Sequence, residues 1–400
     1  MTTRTVSLKV SPTPSLKPEA QTTPTVQLTA RAPNFFLGGP RTANPLDVAV
    51  QPDPKSCFGP RGAAFMHDGT LIVADTGHHR LMGWSQPTVD RQAADWVIGQ
   101  PDFYFEGRNA KSDVGATSLN VPTGLCAAGK GLAVADAWNH RVLLWDVVPT
   151  SDNQPPDRVL GQPDFTTASA NNDDPSQASA RTFHWPYGVC VTDQSLFVAD
   201  AENRRVLIWH DYHVDNGAPA DVVLGQPNFT ARDENAGGNP TERSMRWPHD
   251  LTIWHGHLCV ADAGNNRIMV WEGIPNDHYT PCRWVLGQAD FLNVEHNQAL
   301  YWPRNNTLNM PYGLTAWRDW LFCADTANSR VLAWHIDDLA TGAPTQCLIG
   351  QPSFTDKGDN RWLPAAEDSF CWPYGIASNT SHLVVADSGN NRISVWDLMT

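Results

Sequence analysis

Residues 258–271 read LCVADAGNNRIMVW. An apolar run ends in Ala261-Asp262, a short polar turn follows, and Arg267 opens a second apolar run that ends in Trp271. Two β-strands joined by a tight, hydrogen-bonded turn carry this pattern. The arrangement occurs six times, with its Asp at Asp75, Asp136, Asp200, Asp262, Asp325 and Asp387, so the steps are 61, 64, 62, 63 and 62 residues. Five residues after each Asp stands an Arg (Arg80, Arg141, Arg205, Arg267, Arg330, Arg392), and nine after it a Trp (Trp84, Trp145, Trp209, Trp271, Trp334, Trp396). A period held over six copies decides the architecture before any single segment is read.

Outward from this core each repeat runs into a second motif: VIGQPDF from residue 97, VLGQPDF from 159, VLGQPNF from 223, VLGQADF from 285 and LIGQPSF from 348. The N-terminal FFLGGP, residues 35–40, is in register with them. From the Gly of the motif to the repeat Asp the distances are 37, 37, 39, 37, 38 and 37, beginning with Gly38 to Asp75. One unit, residues 122–165, contains four short strand patterns, TGLCAA, GLAVAD, RVLLWD and RVLGQPDF. Four short antiparallel strands in a unit of this length make a propeller blade. FFLGGP has no Trp-bearing strand before it, and the strand ending at Trp396 has no GQP segment after it. The sequence therefore predicts an all-β fold over residues 34–400: a six-bladed β-propeller of four-stranded antiparallel blades, closed by an N-terminal strand (34–40) that completes the C-terminal blade and covers its open edge. Residues 1–33, rich in Ser, Thr and Pro, read as a flexible tail, with deletion of residues 1–30 expected to cost little.

VADAWNHRVLLW, VADAENRRVLIW, VADAGNNRIMVW and VADSGNNRISVW resemble NHL repeats, a resemblance that implies a six-bladed propeller. Members of that family include RNA binders, protein-interaction modules and a few metal-dependent enzymes, so the resemblance specifies fold more than function.

Composition narrows the classes. No apolar run approaches the roughly 18 residues that a spanning helix needs, and Met1 to Ala20 has no apolar core of a secretory signal. The eight Cys form no C-x-x-C pair and mostly sit in strand-like runs. They read as free, buried thiols, and cytoplasm is the expected compartment. Net charge is −14, from 42 acidic and 28 basic residues, which disfavours phosphate backbones and makes RNA the least favoured partner.

The sixfold Asp and Arg are expected to be structural, as ion pairs that cap turn amides. The six Trp are expected to pack between blades. Position-specific variation is more informative. The inner strand of each blade opens with Pro, a variable residue and usually Gly, which places Arg61, Thr123, Tyr187, His249, Tyr312 and Tyr374 around the mouth of the central channel. Trp185, Trp247 and Trp372 precede the Pro in three blades, and the fourth blade replaces Gly with Asp250. Such a mouth, aromatic with a few polar groups, is the expected binding site. His79 and His140 occupy a turn position and are expected to make turn hydrogen bonds.

WPHDLTIWHGHLCVAD is similar to a segment of peptidylamidoglycolate lyases, propeller enzymes in which a His after this Pro binds zinc in three blades. The resemblance implies His249 as a metal ligand, with His184 and Asp250 as candidates to complete the set, although this chain carries that His in one blade only. A catalytic zinc site uses three protein ligands. No catalytic constellation is visible and no cofactor is predicted, with a zinc or calcium ion left open. The expected function is that of a monomeric scaffold that engages a protein or peptide through the loop-rich face around the mouth, away from membranes. The alternative is a metal-dependent lyase or hydrolase at the same mouth.

Overall fold

At each of the six turns the Asp and the Arg are cross-strand partners, from Asp75 opposite Arg80 to Asp387 opposite Arg392. Three residues of 3-10 helix lie between the strands, and the residue before the Arg closes the turn in the left-handed region, as at His79 (φ 57°) and Asn391 (φ 52°). The apolar residues on either side pair into hairpins that are buried along their whole length, so both faces of each sheet pack against neighbours.

The computed structural model describes residues 23–42, 51–192 and 194–399. Six antiparallel four-stranded sheets form the blades of a propeller. In the fourth, strands Pro248–Trp254, His257–Asp262, Arg267–Trp271 and Trp284–Leu286 follow in order from the channel outward. The inner strands of successive blades touch one another around the ring, and that of the sixth blade, Pro373–Ser378, touches that of the first, Gly62–Phe65. Strand Phe35–Leu37 pairs with Arg392–Asp397, with Phe35 opposite Val395, and supplies the outer strand of the sixth blade. The predicted closure is therefore present.

Glycine after Pro-x has a steric cause. A Cβ on Gly62 would lie 2.0 Å from the Thr123 carbonyl oxygen, and one on Gly375 would lie 2.4 Å from that of Arg61. At these glycines the inner strands of adjacent blades approach closely enough to exclude a side chain.

The core lies between blades. Trp271, for example, sits in one cluster with Phe197, Val206 and Ile208 of the third blade and Leu258 and Val260 of its own. All six repeat Trp are buried, and five donate their indole N–H to a loop carbonyl, nine residues on in four of them, as Trp271 to Thr280 at 2.9 Å, and eight in Trp84, to Gln92. Trp396 donates instead to the Ser394 hydroxyl.

Of the expected tail, residues 1–22 lie outside the described residues. Residues 25–30 are paired with the fifth and sixth blades. Val26 bridges Cys347, Thr29 bridges Leu398, and Ala30 N–H donates to the Asp397 carbonyl. Leu28 is 6% exposed and packs with Phe322, Val385 and Trp396. This stretch is apolar enough to fill one inter-blade groove, which the composition of residues 1–33 taken as a block conceals.

Candidate functional site

The turns that hold the repeat Asp also position the mouth. Asp262 Oδ2 accepts from Arg267 Nε at 2.8 Å and from Asn265 Nδ2 at 2.7 Å, and its Oδ1 accepts the Arg246 N–H at 2.7 Å. Arg267 spends its remaining donors on the carbonyls of Phe291, Thr241 and Ser244, which ties the turn to loops on both sides. The same pattern recurs at Asp136, Asp200 and Asp325, and with local changes at Asp75 and Asp387. These Asp and Arg side chains are 0–1% exposed, so they build the rim and do not reach a ligand.

Two sets of partners were not identified from sequence. The Asn three residues after the Asp exchanges amide hydrogen bonds with a loop Asn: Asn139 with Asn109, Asn203 with Asn171, Asn328 with Asn297 and Asn390 with Asn360. Asn265 donates to Asn235 in the same place. The signal was present as a further repeated Asn, but its partner lies about thirty residues away in loops that otherwise differ. The first blade substitutes His78, whose Nδ1 meets Asp75 Oδ2 at 2.8 Å.

The second set latches neighbouring blades. At five of the six turns the left-handed residue that closes the turn accepts the N–H of the residue before Pro in the next blade. His79 Nδ1 accepts from Val121 (3.0 Å), His140 Nδ1 from Trp185 (3.1 Å), Asn266 Oδ1 from Met310 (2.8 Å), Ser329 Oγ from Trp372 (3.3 Å) and Asn391 Oδ1 from Gly59 (2.8 Å). Between the third and fourth blades this position is Arg204, which has no acceptor. Among the described residues nothing accepts the Trp247 N–H. The pre-Pro residues themselves hold positive φ, including Val121, Trp185, Trp247 and Trp372, between 52° and 56°. This conformation is costly for β-branched and bulky residues and turns the Trp rings toward the rim.

At the mouth five of the six expected residues close on one another. Arg61 donates to the Tyr187 hydroxyl at 2.9 Å. Tyr187 lies 4.3 Å from His249, His249 stacks on Tyr312 at 4.1 Å and 13°, Tyr312 lies 4.8 Å from Tyr374, and the Tyr374 face lies 4.8 Å from the Arg61 guanidinium. The cycle plugs the channel. Thr123 departs from the expectation: it is fully buried, its hydroxyl donates to the Tyr187 carbonyl at 2.8 Å, and it does not line the channel. A hydroxyl short enough to reach the next blade's backbone is held there in preference to facing solvent.

Beneath the plug lies a cavity of about 180 Å³ that includes Asp250, Cys126 and Cys190 in its lining. His249 donates Nδ1–H to the Trp247 carbonyl at 2.8 Å. Enclosure in the channel pushes this imidazole down to about 4, against the opposing effect of that bond, so it is neutral at pH 7. Asp250 accepts from Leu251 N–H at 2.9 Å and from Leu314 N–H, on the fifth blade, at 2.8 Å. Enclosure raises its carboxyl to about 7 against the lowering effect of these bonds. Asp250 thus bridges the fourth and fifth blades at the position where the other blades carry Gly. His184 donates its backbone N–H to Asp200, its ring meets the His140 ring edge-on at 5.3 Å, and its buried Nδ1 has no hydrogen-bond partner among the described residues. Among the described residues no three of His, Cys, Asp and Glu gather into a group that could hold a metal ion, so His249, His184 and Asp250 do not form such a set.

Around the plug stand Trp138, Trp185 and Trp372, each 37–38% exposed, while Trp247 is half-buried under the Arg246 guanidinium. Trp138 and Trp185 stack at 5.7 Å and 4°, and Arg108 covers the Trp138 ring at 4.8 Å. Trp138 was not among the expected site residues. It occupies the second turn position, where the other copies carry Gly, Ala or Glu, and that difference was its signal. No described helix is long and apolar enough to cross a membrane.

Comparison with known proteins agrees with this architecture. The NHL repeat profile matches residues 245–271. Comparison with curated protein sequences gives no match. Among solved structures, a structural-genomics protein of unknown function from Bacteroides thetaiotaomicron is similar at TM-score 0.52 and 12% identity, over 92% of this chain and 75% of that one. Kuenenia stuttgartiensis hydrazine synthase is similar at TM-score 0.48 and 11% identity (88% and 98% covered), and virginiamycin B lyase from Staphylococcus aureus at 0.44 and 10% (86% and 96%). Likeness at such identities concerns the fold alone. The chain is a six-bladed β-propeller of four-stranded blades, and its fourth blade carries the match to the NHL repeat.

Proposed function

We propose that this propeller is a rigid scaffold that binds a protein or peptide partner on its loop-rich face, around the channel mouth. The plug carries this reading. Because Arg61, Tyr187, His249, Tyr312 and Tyr374 contact one another, the mouth presents a floor, and the exposed Trp138, Trp185 and Trp372 stand around it as a surface. Partly exposed Trp beside Arg is the composition of binding hot spots. The eight Cys are all free, which supports a reducing, cytoplasmic setting, and we read the scaffold as monomeric before its partner binds.

The test is selection from a displayed peptide library on the full chain. Selected peptides should lose at least about tenfold in affinity, roughly 1.4 kcal/mol, when Trp138 and Trp185 are both replaced by Ala. They should be unaffected by Arg318→Ala on the far side of the fifth blade. An empty selection, or peptides indifferent to the Trp pair, would refute the scaffold.

A further inference from the structure

A second cleft adjoins the plug, between the sixth, first and second blades. It measures about 420 Å³ and is walled by Phe58, Trp138, Trp372 and Tyr374, with Gly59, Gly77 and Gly389 also in its lining. The glycines are forced by packing. A Cβ on Gly77 would lie 2.4 Å from the Phe58 ring, and one on Gly389 would lie 2.3 Å from Cys371 Sγ. Thr76 and Ser388, also in the lining, already donate their hydroxyls to the carbonyls of Pro122 and Pro60. In a protein of net charge −14 this cleft contains a single formally charged side chain, Arg61, and no acid.

Arg61 is half-buried and has no carboxylate partner among the described residues. Its side chain spends one donor on the Tyr187 hydroxyl, lays its face near Tyr374, and keeps its other N–H groups without a protein acceptor among the described residues. Every repeat Arg, by contrast, is neutralised by its Asp. A guanidinium presents a planar fork that matches a carboxylate, and such charge-assisted pairs are about twice as strong as neutral ones. A second donor lines the same cleft. His79 accepts the Val121 N–H at Nδ1, so its ring proton is on Nε2. The cleft thus offers a cation, an imidazole N–H and aromatic walls, and it holds no group that would repel an anion.

We propose that this cleft seats a carboxylate of the partner peptide, an acidic side chain or a free C-terminus next to an apolar residue, with Arg61 as its counter-charge. The inference rests on the scaffold reading and specifies the chemistry that the scaffold selects. Arg61 then has two roles: it closes the plug through Tyr187, and it presents its free donors to the cleft.

The experiment repeats the library selection, with free C-termini, on the wild type, Arg61→Gln and Arg61→Lys, after thermal melts have confirmed folding. On the wild type, Asp, Glu or a free C-terminus should be enriched. Replacing the acid by its amide should weaken binding about tenfold or more, and higher salt should weaken the acid peptide more than the amide. Arg61→Gln should abolish the acid preference, and Arg61→Lys should restore part of it, which a purely structural Arg would not do. If Arg61→Gln fails to fold, the salt dependence and the Lys variant still decide. Peptides that bind through Trp138 and Trp185 with no acid preference, or that Arg61→Gln selects equally well, overturn this inference and leave the scaffold standing. An empty selection removes the scaffold itself. Phenylacetate serves as a small-molecule arm: if it binds in preference to phenylacetamide while acid peptides do not, the occupant is a small carboxylate and the peptide assignment fails.

Discussion

Replacing Arg204 with Asn should install the latch that the junction of the third and fourth blades lacks. At the other five junctions a His, Asn or Ser accepts the N–H of the pre-Pro residue; here Arg204 cannot, and its buried Nε is itself unpaired among the described residues. Asn is the residue used at two of the other junctions, and it tolerates the φ of 53° held at position 204 better than Arg. The new bond is worth about 1 kcal/mol. Against it stands the loss of the Arg204–Glu202 pair, 3.2 Å apart and 15% and 21% exposed, which contributes roughly 0–1 kcal/mol. Relief of the unpaired Nε and of the left-handed Arg offsets that loss, so a net gain near 1 kcal/mol is expected. Spread over the whole chain this moves Tm by only about 1 °C. Local hydrogen exchange is therefore the better assay. In the wild type the Trp247 amide should exchange faster than those of Trp185 and Trp372, and Arg204→Asn should slow it about fivefold. If Trp247 is already as protected as its two counterparts, or does not respond to the substitution, the latch argument is wrong.

Three further outcomes follow from the same geometry. Asp262→Asn keeps the shape of the turn but leaves the Arg267 guanidinium buried without its counter-charge; chemical denaturation should show a loss of about 3–5 kcal/mol. His140 is held down to about 4 by burial and by the neighbouring His184. Its ordinary value is 6.5, so between pH 6.5 and 4 the unfolded chain takes up the proton first. The contribution of the neutral latch is therefore full above pH 6.5 and is lost as pH falls toward 4, by at most about 3 kcal/mol. His140→Asn, which keeps an acceptor that does not titrate, should remove that part of the acid destabilisation, whereas Asp250, raised to about 7, changes stability in the opposite direction over this range and is common to both proteins. Leu28→Ala should cost about 2–3 kcal/mol in equilibrium unfolding, a result that a free tail up to residue 33 would not give.

The blade plan was legible because a period of about 62 residues leaves its mark in every copy, down to the strand that the N-terminus lends to the last blade. The direction of the repeat Asp and Arg into the scaffold could be read for the same reason, since each sits at a strand end beside its partner. Contacts across blades were harder to read. Thr123 looked like a sixth member of the mouth because its register matches Tyr187 and Tyr312, but register does not say that a short hydroxyl will prefer a neighbouring carbonyl to the channel. The approach of inner strands that demands Gly also explains why Asp250 is unusual: its carboxylate occupies space that elsewhere is closed by backbone, and bonds Leu314 across it. That substitution had suggested a ligand site, yet both carboxylate oxygens accept backbone N–H groups. Trp138 was hidden because one copy alone carries a ring at that turn position, and the loop Asn residues because their regular place, ten residues after the motif Gly, does not say which side chain they meet about thirty residues on.

The pairing of Phe35 with Val395 has a consequence for biosynthesis. The two residues are separated by 360 positions, so the ring cannot shut until the ribosome has made all the blades between them. Until then strand Phe35–Leu37 waits without its partner, and the fifth blade exposes a face that only the sixth will cover. Chains that stop early, or that are released before the last strand emerges, retain that uncovered edge and face, features that favour aggregation. A chain of this design is most vulnerable while it is being made and gains its full stability only once Arg392–Asp397 is in place.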